Sequence, residues 1–308
     1  MHDQWVNPYL EPDLSCATKT AYQADIEAFT AFCAAHGIAL AIPADTRVIA
    51  RYLASIATTH AIATLRRHLR GIAFAHKLAG FDIMANGEEI RRTLTGIARR
   101  HGKPPRRAAA LGLHEVKAML ATCPDTLTGQ RDRAVILIGF AGGLRRSEIV
   151  AIEHRHLTWR PGAVRLLIER SKTDQHGTGA EITIPSGTHE QTCPVAALRV
   201  WIAAARIAEG PVFRGVDRWD NIQPEALHPD GVRRIVQRAA RRAGLSVAAH
   251  ETLSPHGLRA GFITEAHRAN ARDEDIMQHT RHKSLATMRS YVRRSDKMSD
   301  NPAGKIGL

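Results

Sequence analysis

A mainly α fold in two parts, a helical N-terminal domain and a mixed α/β C-terminal domain with a small antiparallel sheet, is what this sequence predicts. Three observations carry the expectation. Apolar residues recur at helical spacing from Thr18 to about Arg100. A basic, proline-containing stretch, "HGKPPRRAAALG" at 101–112, then breaks the pattern. Beyond it helical segments resume around a single pair of strand-like runs, "AVRLLIERSK" and "GAEITIP". The expected domains are 1–104 and 105–308, joined by a basic connection that few contacts cross.

In the first domain, "TKTAYQADIEAFTAFCAAHG" places Tyr22, Ile26, Phe29 and Cys33 at helical spacing and stops at Gly37. "ATLRRHLRGIAFAHKLAG" repeats the pattern, with Leu65, Leu69, Ile72 and His76 on one stripe and Arg66, Arg67, Arg70 and Lys77 on other faces. "GEEIRRTLTGIARRHG" is a further short helix. Such basic helices are either the solvated rim of a bundle or a grip on DNA phosphates, which positions a protein without reading sequence. The small bundle and its repeated basic helices favour the grip. In the second domain "LHEVKAMLATCP" and "QRDRAVILIGFAGG" are helical, the latter ending at a Gly-Gly break. The polar, glycine-rich "TDQHGTG" joins the two strands, and "PVAALRVWIAAARIAEG" and "PDGVRRIVQRAARRAG" return to helix.

Composition narrows the partners. With 308 residues and 44% hydrophobic content the chain can form two domains with at least one sizeable core. A formal charge of +13 and a pI near 10.2 point to a polyanion. No apolar run reaches the ~18 residues of a spanning helix, and "MHDQWVNPYLEPD" has no signal-peptide core, so a cytoplasmic protein without a membrane partner is expected. Cys16, Cys33, Cys123 and Cys193 lack metal-type spacing and read as thiols in a reducing compartment. Histidines such as those of "HRH" at 154–156 could bind a metal, but no metal or other cofactor is expected.

Four stretches hold chemistry. In "GGLRRSEIV", Arg145 follows a glycine turn, and Glu148, three residues on, can hold its guanidinium or form an ordinary exposed ion pair. Lys172, in "ERSKTDQHGTG", lies where a hairpin tip could carry an amine into a groove, or is a plain loop lysine. In "LSPHGLRAGFITEAH", Ser254 can cap a helix, Pro255 fits its first position and His256 falls in the first turn. Arg259 then shares a face with His256, while Leu258 and Phe262 point to the core. The helix N-terminus is an anion site that favours a neutral imidazole; a satisfied surface histidine is the bland alternative. Finally, "QHTRHKSLATMRSYVRR" sets Tyr291 nine residues after His282, among Arg289, Arg293 and Arg294, as if facing something negative. On one helix nine residues rotate ~900°, so the two could share a site only if the chain bends between them.

The order "RRSE" at 145, a loop lysine at 172, "HGLR" at 256 and "HKSLATMRSY" from 282 to 291 resembles the tyrosine recombinase, or phage integrase, family. The likeness spans roughly residues 110 to 295, with the helical N-terminal part similar to the family's core-binding domain. It selects Arg145 over Arg146 and implies that Arg145, Lys172, His256, Arg259, His282 and Tyr291 meet at one phosphate. Tyr291 would attack it to give a 3′-phosphotyrosyl link, the two arginines and His282 would hold the non-bridging oxygens, His256 would take a proton and Lys172 give one. No metal or ATP is then required. Implied partners are double-stranded DNA with specific recombination sites and further copies of the chain, as a homotetramer on DNA, in integration and recombination of the kind mobile elements use. No arm-binding domain fits before Thr18, which favours a simple recombinase. Arg281 departs from the family, many of whose members carry glycine before the histidine. A type IB topoisomerase is the nearest alternative, disfavoured by His256 where those enzymes tend to carry lysine. An inactive DNA-binding regulator is disfavoured by the complete set of six.

If the basic helices grip phosphates, DNA binding is steeply salt-dependent. Six or more neutralised phosphates would lower affinity about 10³-fold between about 50 and 200 mM salt. An affinity that stays flat over that interval in a filter-binding or anisotropy titration would contradict the grip.

Overall fold

The computed structural model describes residues 14–39, 42–81, 87–104, 106–169 and 179–292. Two compact units form, Met1–Pro105 and Arg106–Leu308. In the first, Ser15 accepts the Thr18 N–H at 3.3 Å and opens α1 (Cys16–Ala35), which stops before a left-handed Gly37. α2 (Thr46–Ser55) is capped by Asp45, and α3 (Ile62–Leu78) and α4 (Glu88–His101) complete the bundle. Of the stripes expected from the sequence, Phe29 and Cys33 of α1 and Leu65, Leu69, Ile72 and His76 of α3 are buried against Ile49, Leu53 and Ile90, whereas Tyr22 and Ile26 of α1 are only half-buried. His76 is buried because both ring nitrogens are used, Nδ1 on the Ile72 carbonyl at 2.7 Å and Nε2 on the Ala44 N–H at 2.8 Å.

Beneath α3 lies a buried carboxylate. Asp25 meets Arg67 at 3.1 Å and His68 at 3.2 Å, and His68 bonds the Tyr52 hydroxyl at 2.8 Å. Burial pushes the Asp25 carboxyl up and, with the Asp25 charge, the Tyr52 phenol to about 12. Of the four cationic side chains expected to grip phosphate, Arg66, Arg70 and Lys77 are exposed, whereas Arg67 is paired to Asp25.

The second unit is mainly helical with small sheets. A two-residue strand, β1 (Arg107–Ala108), leads to α5 (Leu113–Ala121) and α6 (Leu127–Ala141). Residues Ala134 to Ile138 of α6 are all buried, the mark of a central helix. After α7 (Arg146–Val150), strands β2 (Leu157–Arg160), β3 (Ala163–Ile168) and β4 (Ala180–Pro185) form an antiparallel sheet in that order. Val164, Leu166, Ile168, Ile182 and Ile184 face the core, so β3 and β4 are the strand pair read from the sequence. The intervening hairpin with Lys172 lies outside the described residues.

Then follow α8 (Pro194–Ala204), a second hairpin of β5 (Arg214–Val216) and β6 (Ile222–Ala226), α9 (Pro229–Arg242) and β7 (Glu251–Thr252). The chain ends its described part with α10 (His256–Arg268), α11 (Asp273–Thr280) and α12 (Leu285–Arg289). Among the described residues two further two-stranded sheets, β1–β7 and β5–β6, join the antiparallel one expected, and the β1–β7 pair is parallel. β1, β5 and β7, of two or three residues, have no periodicity to read, and the five residues of β6, "IQPEA", are exposed but for Ile222 and interrupted by a proline. Among the described residues no helix is long and apolar enough to cross a membrane, and no three metal-ligating side chains converge, those of "HRH" included. Cys33, Cys123 and Cys193 are free thiols.

The helix that carries His256 and Arg259 is seated by close backbone approach. A Cβ on Gly257 would lie 2.4 Å from the Ala109 carbonyl oxygen, and one on Gly261 only 1.8 Å from that of Leu111. The Leu111 N–H donates to the Gly257 carbonyl at 2.9 Å, so α10 and the segment before α5 touch main chain to main chain. Gly261→Ala is therefore expected to destabilise by about 1–3 kcal/mol through overpacking. Gly96→Ala, in α4 with nothing within 4 Å of the new methyl, should instead stabilise by about 0.5–1 kcal/mol. Chemical denaturation of both variants checks the pair; the same sign for both would contradict the docking.

Candidate active site

Site geometry begins where α6 stops. Gly143 has φ +52°, and a Cβ there would meet the Thr280 methyl at 2.9 Å, so glycine is required twice over. Leu144 is buried, and Arg145 follows in extended conformation as the N-cap of α7. Glu148, at the third helical position, reaches back: Oε2 accepts the Arg145 N–H at 2.8 Å and Oε1 accepts Arg145 Nη1 at 2.7 Å. The pair does not lie on one helical face, as spacing suggested, nor is it an exposed surface pair. The Glu148 side chain is 1% exposed and that of Arg145 17%. Burial alone would raise the Glu148 carboxyl, but the Arg281 guanidinium and the Arg145 amide and guanidinium hold it below the usual carboxylate range.

α10 supplies the next two groups. Pro255 takes helical angles, and the Ser254 carbonyl, rather than its hydroxyl, accepts the Gly257 N–H at 2.8 Å. His256 is exposed at the first turn. Arg259, expected on the same face, is instead fully buried. Its Nη1 donates to the Gly143 carbonyl at 2.6 Å and its Nη2 to the Thr280 carbonyl. Burial first, and then the Arg145 charge, push its guanidinium down to about 9, still cationic at neutral pH.

The last pair depends on a chain reversal. α11 ends in a left-handed Arg281 (φ 59°), with the His282 N–H on the Met277 carbonyl at 3.0 Å in a Schellman-type stop. His282 thus precedes α12 and Tyr291 follows it, which is the bend that nine residues of one helix would have forbidden. Their rings lie 5.3 Å apart. The Tyr291 hydroxyl is 2.7 Å from His256 Nε2. The Thr280 hydroxyl donates to the Ile276 carbonyl, so the Nδ1 of His282, 2.7 Å from it, must donate to that oxygen. His282 Nε2 then carries the lone pair and faces Arg259 Nη2 at 3.2 Å. Burial, and after it the charges of Arg259, Arg145 and Arg281, hold this imidazole neutral down to about pH 3.

The structure therefore gathers Arg145, Glu148, His256, Arg259, His282 and Tyr291 in one place, with Lys172 outside the described residues. Of the three arginines beside Tyr291 in sequence, one can be placed. Arg289 turns away to Asp273, Nε to carboxylate at 2.8 Å, and Arg293 and Arg294 lie outside the described residues. Sequence reading missed Thr280, the Gly143 carbonyl as the acceptor for Arg259, and the role of Arg281, whose Nη2 donates to Glu148 Oε2 at 2.8 Å. The Gly-Gly turn before Arg145 and the arginine at 281, where many family members carry glycine, were the available signals.

The chain belongs to the phage integrase family, the tyrosine recombinases: the family model matches residues 110–298. It is 32% identical over 302 residues to an integrase/recombinase XerD homologue of Selenomonas ruminantium, covering 96% of this chain and 87% of that protein. The tyrosine recombinase XerC of Pelobacter propionicus is 27% identical over 92% of this chain and 86% of its own. A similar fold occurs in a lambda integrase dimer bound to a COC′ core site, with a TM-score of 0.62 and 18% identity over 93% of this chain and 92% of that one. XerH site-specific recombinase on its palindromic difH substrate likewise gives 0.62, at 16% identity over 91% and 77%.

The neutral His282 has a measurable consequence. The unfolded chain takes a proton there below about pH 6.5, the folded chain only near pH 3, so the unfolded state binds more protons between those values. Stability falls as pH drops through that window. His282→Asn should lose less stability than wild type between about pH 7 and 4.5, read from unfolding midpoints. Equal losses would contradict a buried neutral imidazole.

Proposed function

We propose that this recombinase cleaves and rejoins double-stranded DNA at specific sites through a 3′-phosphotyrosyl bond to Tyr291, without metal or ATP. The observation that carries the reading is the Tyr291 hydroxyl lying 2.7 Å from His256 Nε2, in a site with Arg145, Arg259 and Arg281 where Glu148 is the one carboxylate paired to them among the described residues. A phenol is a weak nucleophile at its ordinary pKa and needs a base within hydrogen-bond reach, which His256 supplies. Attack on the scissile phosphorus places growing charge on the non-bridging oxygens. Arg145 and Arg259 are proposed to meet it, their planes already set by Glu148 and by the Gly143 and Thr280 carbonyls. His282 can add a donor only from Nε2, and only after gaining a second proton, which a phosphate in the pocket favours.

Lys172 is proposed to protonate the leaving 5′-oxygen. The phosphotyrosyl link conserves the energy of the broken bond, so resealing to a new strand needs no external energy source. Arg66 and Arg70 share an open groove between α3 and α4 with Arg91 and Arg99, a surface suited to phosphates, and Lys77 is exposed on the same helix as the first two. The proposed core-binding role of 1–104 rests on that surface, and the catalytic role of 105–308 on the site above. A homotetramer on DNA is part of the proposal; a lambda integrase, similar in fold, forms a tetramer on a Holliday junction. The proposed setting is the cytoplasm and the DNA of a mobile element, where the free thiols would stay reduced.

Tyr291→Phe tests the reading most directly, because it keeps the ring and deletes only the attacking oxygen. On a nicked duplex selected by the wild-type chain from a random-sequence pool, wild type should give a protein–DNA adduct stable to denaturing gels. The variant should bind within about twofold of wild type and give none. An adduct from the variant would assign the nucleophile elsewhere.

A further inference from the structure

Glu148 holds more than Arg145. Its Oε2 accepts both the Arg145 N–H and Arg281 Nη2, each at 2.8 Å, while Oε1 accepts Arg145 Nη1. Arg281 reaches it from the far side of the site: Nη1 donates to the His279 carbonyl at 2.7 Å, and Nη2 lies 3.5 Å from the Gly143 carbonyl that Arg259 also uses. The side chain is 8% exposed. This placement runs against local cost in two ways. The left-handed backbone at 281 suits glycine and strains any L side chain, and Arg281 Nε is buried with no hydrogen-bond partner among the described residues. A residue held there against both costs is doing something that a glycine turn would not.

Charge shows what that is. Alone, Glu148 and Arg145 form a neutral pair, and the carboxylate competes with any phosphate for the Arg145 guanidinium. A second cation on the same carboxylate splits its negative charge, so Arg145, Arg281 and Glu148 together carry one net positive charge. The same side chain ties the turn that carries His282 to the turn that carries Arg145. We infer that Arg281 is a positioning residue of this recombinase, which, by sharing Glu148, fixes Arg145 and leaves its charge for the scissile phosphate. Its depressed guanidinium, lowered chiefly by burial and restored in part by Glu148, fits a cation whose one anionic partner among the described residues is that internal carboxylate. The inference rests on the strand-cleavage reading above.

The test compares wild type, Arg281→Gly and Arg281→Lys on the selected nicked duplex, as normal phosphate and with a methylphosphonate at the mapped scissile position. Arg281→Gly relieves the backbone, so its unfolding midpoint should stay near wild type and its DNA affinity within about twofold. Its rate of adduct formation should fall about 10²-fold, the scale of a misplaced or lost charge-stabilising group. Arg281→Lys, which keeps the charge without the planar fork, should recover part of that loss. On the methylphosphonate, where one non-bridging oxygen has become a neutral methyl, the wild-type advantage over Arg281→Gly should shrink towards unity. Wild-type cleavage rates in Arg281→Gly would overturn the inference, as would an equal loss on both substrates, since a merely structural defect would not distinguish them. If wild type itself forms no adduct, the cleavage reading falls and this one with it; if wild type reacts and Arg281→Gly reacts equally, only this one falls.

Discussion

One buried carboxylate makes the arrangement of this site possible. Arg145, Arg259 and Arg281 crowd together largely out of solvent, and burial first, then the Arg145 and Arg281 charges, lower the Arg259 pKa. Without Glu148 such a cluster would be expected to spread apart, since an uncompensated buried charge costs about 3–5 kcal/mol. With it, two guanidiniums are bonded to the carboxylate and the third to the carbonyls of Gly143 and Thr280. The net positive charge left over is what the proposed reading assigns to a scissile phosphate.

Everything around the carboxylate serves to bring distant turns to it. Gly143 ends α6 in a conformation that aims its carbonyl at Arg259, and Gly257 and Gly261 let α10 lie directly on the Ala109–Gly112 backbone. The left-handed turn at Arg281 and the short α12 reverse the chain, returning Tyr291 to the exposed His256. Each device is a backbone choice that fixes a side chain elsewhere. The proposed nucleophile and base are 35 residues apart in sequence yet share a hydrogen bond.

The N-terminal unit solves a similar problem differently. Asp25 is buried against Arg67 and His68, so one arginine of a basic helix is spent on internal structure while its neighbours Arg66 and Arg70 face outward. A basic stripe in sequence is therefore not a uniform phosphate-binding face.

Read alone, the sequence determined the fold class, the apolar stripes of α1 and α3, the strand pair β3–β4 and the linear order of the proposed catalytic residues. Helical and strand periodicity is local, and a residue's chemistry is written at its own position, so both survive in one dimension. It could not show that Glu148 is buried, that Arg259 turns inward to Gly143, or that Arg67 belongs to Asp25. Nor could it show that His282 and Tyr291 flank a helix instead of sharing one. Those facts rest on contacts such as Arg259 to Gly143, 116 residues apart, and Arg281 to Glu148, 133 residues apart. The two-residue strands β1 and β7 were invisible for the same reason, being held by pairing across 144 positions rather than by any pattern of their own (Arg107 with Glu251). Only the tertiary structure decided them, because burial and charge pairing depend on which turns meet in space, and the spacing of residues along the chain does not encode that meeting.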